Sequence, residues 1–392
     1  MTKINLTLVI LVLIAVLFCG CTEQITKTPM LDKINYSYNK LTDTYAVSGI
    51  SIAAGKNVVI PDTVNGKSVT AIWGVDAMFN SLSNLETVIL PDTIERIGSS
   101  VYAEAPKGLK FNEYDNGLYL GTADNPYFAF IKPKYIEAVE EMSYILDGGV
   151  NDVIKGMEDS MPYDVWGSDI TSCVIHPDTK VMADQAFSGC HKLKSIVIPG
   201  GIKRIPEYAF AGCDSLENVV IEEGVEVIGE DAFVNCYSLA SLSLPSTLKE
   251  AKRIVTYWTD ATVTLEVILA EGMEVIPDGI FSCCTTLKSI VIPDSVKRIG
   301  NEAFEYCIAL EYIKMSENIE YIGDSAFSDC SSLTSISLSN TLKEISPFAF
   351  YNSQVEEIIY DGSVEEWNAL YGNYYGNWDF IVTCNDGVFE SK

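Results

Sequence analysis

Apolar positions in this chain alternate in short bursts, and the bursts return every 23 residues. From Leu287 to Pro293, Leu287 opens a strand, Ile290 and Ile292 point one way, and Ser289 and Val291 point the other. Pro293 ends the strand, because it has no N–H to give a ladder. Val296 and Ile299 predict a second inward pair around outward Lys297 and Arg298. Gly300 then predicts a sharp turn. Ala303 and Phe304 are expected to enter the core on a short helical turn, and Cys307 closes the unit. The same roles fall 23 residues later on Leu310, Ile313, Met315, Ile319, Ile322, Gly323, Ala326, Phe327 and Cys330. Leu193, Leu216 and Leu239 keep the same interval. A fixed period of this size predicts a solenoid, in which each coil buries its apolar face only against its neighbours.

The period organises most of the chain. Residues 22–53 are expected to be a tether and N-terminal cap, and residues 54–105 the first repeats. The pattern breaks over 106–172, an insertion expected on one face of the solenoid. It holds two candidate strands, Leu118 to Leu120 and Tyr127 to Ile131, around the turn-rich Thr122 to Pro126. The array then runs over 173–354, with one degraded unit. Leu239 to Leu265 spans 26 residues and lacks the Ala-Phe-x-x-Cys ending. Residues 355–392 form an aromatic, atypical last unit (Trp367, Tyr371, Tyr374, Tyr375, Trp378), as a solenoid needs to close its open end; a carbohydrate-binding cluster is the alternative.

The recurrent form L-x-x-I-x-I-P-x-x-V-x-x-I-G-x-x-A-F-x-x-C resembles the BspA-like class of leucine-rich repeats over residues 54–105 and 173–370. That resemblance implies an α/β repeat solenoid, β-dominated, wound as a right-handed ribbon with a parallel sheet and short helical turns. It also implies exposure on a microbial surface, with adhesion or host-matrix binding in some members. It does not transfer a ligand.

Composition narrows the partners. The net charge of −28 argues against nucleic acid and against anionic lipid. At the N-terminus, Lys3, the apolar run Leu8 to Phe18 and the sequence Phe18-Cys19-Gly20-Cys21 predict an export signal over 1–21. The end of that run resembles a lipobox, which would lipidate Cys21 and make the anchor the only membrane contact; ordinary cleavage and an uncleaved anchor are the alternatives.

Candidate chemistry is sparse. Cys190, Cys213, Cys236, Cys284, Cys307 and Cys330 sit at the same repeat position. Stacked coils about 4.8 Å apart hold such side chains parallel, which suits neither a disulfide dihedral nor a converging metal site. A buried thiol column is expected. His176 and His191, the two histidines, belong to no triad or metal motif, and the pairs Glu222-Glu223, Glu356-Glu357 and Glu365-Glu366 fit solvated faces. No cofactor, metal or catalytic residue is expected. The remaining candidate is the outward side of the strands, with Asn218, Val220, Leu269, Val291, Tyr312 and Lys314 as candidate ligand-face residues; ordinary β-propensity on a solvated face is the alternative. The expected function is a non-enzymatic, lipid-anchored surface protein that presents this face to a protein or glycan on another cell or matrix. The alternative is an envelope spacer whose insertion at 106–172 carries the recognition.

Overall fold

The computed structural model describes residues 25–27, 34–50, 55–73, 85–98, 109–133, 170–255, 263–371 and 380–390. The export signal, Cys21 and most of the insertion lie outside the described residues. The chain divides into two compact units, Met1–Lys110 and Phe111–Lys392.

In the first unit, strands Ile34–Asn39 and Thr44–Ile50 form an antiparallel pair. Thr44–Ile50 then joins strand Lys67–Ile72 in parallel, and Lys67–Ile72 joins Arg96–Ile97. This hairpin buries Tyr36, Tyr45 and Val47. It covers the ladder's otherwise open edge, which is the work of a cap.

The second unit is a β-solenoid of stacked parallel strands. Each regular coil adds one rung to three ladders. The first ladder contains Ser195–Ile198, Asn218–Ile221, Ser241–Leu244 and Glu266–Leu269, paired in parallel. After Glu266–Leu269 only the bridge Leu265–Leu287 joins the next coil; pairing resumes between Ser289–Val291 and Tyr312–Lys314, lapses again, and resumes in Ser335–Ser339, Glu357–Asp361 and Ile381–Cys384. The second ladder is built of two-residue strands: Arg204–Ile205, Val227–Ile228 and Glu250–Ala251, then Val275–Ile276, Arg298–Ile299, Tyr321–Ile322 and Glu344–Ile345.

The third ladder corrects the expectation of short helical turns. The Ala-Phe segments are successive turns, and the helix among the described residues is Val364–Tyr371. Residues before each Ala, such as Glu302 and Ser325, have positive φ, as do residues two after each Phe, such as Tyr306 and Asp329. Each segment closes single turns, such as Glu305 N–H to Glu302 O at 3.1 Å, and the left-handed residues at both ends stop these from extending into a helix. Other amides reach to the next coil. Phe210 N–H donates to Ala232 O at 2.8 Å, Phe304 N–H to Ala326 O at 2.9 Å, and Phe327 N–H to Ala349 O at 2.7 Å.

Inside the coils the Phe rings stack in line. Centroids of Phe130, Phe187, Phe210 and Phe233 are 4.7, 4.9 and 5.1 Å apart, with planes within 11°. Phe281, Phe304, Phe327 and Phe350 form a second column at 5.5, 5.3 and 5.4 Å. Between the columns the degraded unit buries Ile254 and Val255 in place of a ring.

The hairpin expected within 106–172 is present as Gly117–Leu120 against Ala129–Pro133. It does not sit on a face. Ala129–Pro133 pairs in parallel with Val181–Met182, and Phe130 begins the ring column, so the hairpin is the first coil of this unit. At the other end, helix Val364–Tyr371 starts with a capping box. Ser363 Oγ accepts from Glu366 N–H at 3.2 Å, and Glu366 Oε2 accepts from Ser363 N–H at 2.8 Å. The helix buries Trp367 against Tyr360, and Ile381–Cys384 turns back into Gly387–Glu390 to end the sheet.

Gly300 does not supply the expected sharp turn, since it takes no left-handed φ. A Cβ there would lie 2.6 Å from Asp278 N, in the backbone of the preceding coil. Close approach of coils is the reason for glycine. Gly212 is the contrast: its φ is +68° and a Cβ would meet nothing within 4 Å. Gly300→Ala is therefore expected to cost about 1–3 kcal/mol by overpacking against backbone, and Gly212→Ala about 1 kcal/mol of left-handed strain. Urea unfolding of the two variants checks this; a Gly300→Ala loss below about 1 kcal/mol would refute the close-approach account.

Candidate binding face

Strand alternation fixes what the first ladder shows to solvent. Ile196, Val219, Leu242, Val267, Ile290 and Ile313 point inward and are buried. Two outward columns result. One contains Ser195, Asn218, Ser241, Glu266, Ser289, Tyr312, Ser335 and Glu357. The other contains Val197, Val220, Ser243, Ile268, Val291, Lys314, Ser337 and Ile359. Register pairs these residues directly: Val197 with Val220, Ser243 with Ile268, Val291 with Lys314, and Ser337 with Ile359. Val197, Val220, Ile268, Val291 and Ile359 are 43–55% exposed, and Tyr312 is 58% exposed.

Five of the six expected face residues therefore lie where alternation puts them: Asn218, Val220, Val291, Tyr312 and Lys314. Leu269 does not. It is buried at 8% exposure, and so is Val267. Leu239 to Leu265 spans 26 residues, but the strands pair Ser241 with Glu266, a step of 25. Aligning the units on their leucines shifts the strand by one residue, and a shift of one exchanges its faces. Glu266 and Ile268 take the outward places instead. Ile268 was legible from the other side, since it precedes Val291 by one clean period.

A second outward column lies beside the second ladder. Lys203, Glu226, Lys249, Glu274, Lys297, Glu320 and Lys343 follow one another coil by coil, alternating in sign. Lys249 Nζ is 2.6 Å from Glu226, Lys203 is 3.5 Å from the same carboxylate, Lys297 is 3.8 Å from Glu274, and Lys343 is 2.7 Å from Glu320. The bond from Lys249 holds Glu226 below the usual carboxylate range, and Lys343 does the same for Glu320.

The other titratable candidates are dispersed. His191 Nδ1 is 2.9 Å from Asp214, whereas His176 packs its ring 4.1 Å from that of Tyr127. The acidic pairs are structural: Glu223 accepts from Ser246 N–H at 2.8 Å, Glu222 from Gly200 N–H at 3.3 Å, and Glu366 caps the helix. Among the described residues no three His, Cys, Asp or Glu side chains are grouped to hold a metal ion. Among them, too, no helix is long and apolar enough to cross a membrane.

The model of the BspA type leucine rich repeat region matches residues 57–118, 166–257 and 257–371, in six copies. The chain belongs to that family. No curated protein matches it. Among solved structures it is similar to a leucine rich cell surface protein from Faecalibacterium prausnitzii, at 20% identity over 88% of this chain and 98% of that one, with a TM-score of 0.31. A leucine-rich repeat protein from Bacteroides ovatus is 18% identical over 90% and 99% of the two chains, with a TM-score of 0.38. The pneumococcal vaccine antigen PcpA is 15% identical over 92% and 85%, with a TM-score of 0.33.

In this BspA-type array the terminal Cys of the unit has a defined partner. Cys213 Sγ donates to Phe187 O at 3.1 Å, Cys236 to Phe210 O at 3.2 Å, Cys307 to Phe281 O at 3.2 Å, and Cys330 to Phe304 O at 3.1 Å. The carbonyl of Phe187 also accepts from Cys190 N–H, at 3.1 Å, so both its lone pairs are used. Each thiol thus ties its coil to the preceding one. The six repeat thiols are buried and unpaired by disulfides. Burial pushes Cys284 up to about 11 and Cys330 up to about 12, and raises Cys213 and Cys307 well above the ordinary thiol value. At these four cysteines the thiolate, the reactive form, is disfavoured at neutral pH.

Two outcomes follow from this BspA-type architecture. At pH 8 a maleimide probe is expected to leave the six column thiols unlabelled in the native protein and to label them in denaturant; native labelling read by mass spectrometry would contradict their burial. The charge column sets an acid limit. A carboxylate with a lowered folded pKa stabilises the fold above its unfolded value, and that contribution is lost as pH falls through the lower folded value. Melting temperature is therefore expected to hold from pH 8 to 6 and to fall below about pH 4.5, the ordinary value for Glu226 and Glu320. Glu226→Gln with Glu320→Gln should flatten part of that fall.

Proposed function

We propose that this BspA-type protein is an exported, non-enzymatic surface protein, lipid-anchored through Cys21, that binds a protein or glycan on another cell or matrix through the outward face of its first ladder. The observation that carries this is the outward column containing Val197, Val220, Ile268, Val291 and Ile359, apolar and exposed at one repeat position, with Val197 and Val220 paired directly and Ser243, Lys314 and Ser337 interspersed. On a solvated face β-branched side chains contribute only strand propensity, whereas a partner that removes them from water gains about 25 cal/mol for each Å² of apolar area covered. Tyr312, beside this column, supplies the amphipathic ring that binding hot spots favour. Lys314 and the flanking Ser and Asn residues give polar contacts at the rim. Binding through such a face sums many weak contacts, so its strength depends on the coils remaining in register. The insertion is a weaker carrier of recognition, because its hairpin Gly117–Leu120/Ala129–Pro133 is committed to the stack.

The test is adhesion of cells displaying the full chain to a panel of immobilised matrix proteins and glycans. Replacing Val291→Ser, Tyr312→Ala and Lys314→Ala together is expected to lower adhesion about tenfold or more, since each buried anchor contributes on the order of 1 kcal/mol. Circular dichroism should be unchanged. Undiminished adhesion by the triple variant would remove this face from the account. A Cys21→Ser chain is expected in the medium instead of on the membrane.

A further inference from the structure

The second ladder opens at two places: Val181–Met182 does not pair with Arg204–Ile205, where Pro206 has no N–H to give, and a second opening lies in the irregular unit. Glu250–Ala251 and Val275–Ile276 are adjacent in coil order but do not pair, so the ladder splits into three strands and four. Within each paired run the rule is strict. Lys297 and Arg298 N–H both donate to Glu274 O, and Gly300 N–H donates to Ile276 O at 2.9 Å; Glu226, Val227 and Gly229 do the same to Lys203 and Ile205. At the split, Glu274 and Val275 make no such bond to Lys249. Pro277 occupies the place of Gly300 and has no N–H to offer Ala251 O. The unit before the split also contains two extra residues, since Glu250 to Val275 is 25 where the period is 23.

A surface groove of about 440 Å³ lies over this split. Its lining includes Arg204, Lys249, Lys252 and Arg298 against Glu230, Glu250 and Asp278, so cations and carboxylates nearly balance. Several are already matched: Lys249 to Glu226 at 2.6 Å, Arg204 to Glu207 at 3.6 Å and Arg298 to Asp278 at 4.0 Å. A balanced lining offers little to a simple ion. It offers donors and acceptors side by side, and the open backbone amides and carbonyls at the split add more of both. Val227, Val275 and Pro277 supply apolar surface between them.

We infer that this groove is a binding site for a neutral saccharide segment, separate from the face of the first ladder. A hydroxyl is donor and acceptor at once, and a sugar ring carries hydroxyls around an apolar C–H face, which matches this lining. An extended peptide fits less well. The first ladder stays paired across the irregular unit, from Ser241–Leu244 to Glu266–Leu269. The turn ladder also continues, with Arg253 N–H to Gly279 O at 2.7 Å and Ile254 N–H to Ile280 O at 3.0 Å. Coils held together on both sides of the split admit single polar groups between them and leave no width for a strand, which needs about 4.8 Å on each side.

The test is calorimetric titration of the full chain with maltohexaose, cellohexaose and xylohexaose, and with a hyaluronan hexasaccharide as the acidic comparison. Saturable binding of at least one neutral sugar is expected, insensitive to salt. Glu250→Ala with Lys252→Ala changes two side chains at the groove and is expected to weaken that binding about tenfold, roughly one good polar contact. Pro277→Gly restores an N–H opposite Ala251 O and is expected to close the split and weaken binding to a similar extent. If Pro277→Gly does not fold, the double variant decides alone. The inference is overturned if no neutral sugar binds, if only the acidic sugar binds with steep salt dependence, or if the double variant binds as the parent does.

Discussion

Everything in the second unit depends on coils being hydrogen-bonded to their neighbours at three points of the circuit. A single coil cannot bury its Leu, Ile and Phe side chains or satisfy its own amides, because its strands are only two to five residues long and have no partners within the coil. Stacking solves both problems in the same step. The ladder bonds set the spacing, and the spacing in turn fixes what can occupy each column. At about 5 Å, aromatic rings stack face to face, a thiol reaches the carbonyl of the coil before it, and glycine becomes obligatory where two backbones touch.

Much of this was legible in the chain itself. The 23-residue interval announces stacked coils, and strand alternation places Asn218, Val220, Val291, Tyr312 and Lys314 outward without any coordinates. Buried cysteines followed from the parallel side chains that stacking imposes. Other features were hidden for physical reasons. The Ala-Phe segment carries a helix-like composition, but its amides divide between single turns on its own carbonyls, as Glu305 N–H to Glu302 O, and bonds to the next coil, as Phe304 N–H to Ala326 O, and inter-coil bonding leaves no trace in local propensity. Gly300 looked like a turn residue because sequence shows a glycine's permissiveness and not what lies 2.6 Å from it. Leu269 was misplaced because a 26-residue unit can absorb its extra residues before or after the leucine, and burial alone decides which.

The degraded unit shows how a repeat array tolerates a defect. Its Phe is replaced by Ile254 and Val255, which remain buried, so the core is continuous although the ring column is not. Two of the three ladders cross it intact, and only the second gives way, at a proline. At this unit the break in pairing is therefore confined to one side of the coil. That is also where a regular surface acquires a concavity, since identical coils stacked in register have no reason to form one.

The alternating column from Lys203 to Lys343 has a consequence for assembly of the chain. Units this similar in sequence could dock onto the wrong neighbour during folding, with one coil skipped and the rest still well packed. Skipping one coil would set lysine beside lysine and glutamate beside glutamate at the point of error. The apolar columns cannot detect that mistake among regular coils, because each of these offers them much the same Leu, Ile and Phe. Sign alternation gives each coil a parity, and parity lets near-identical building blocks count themselves into order.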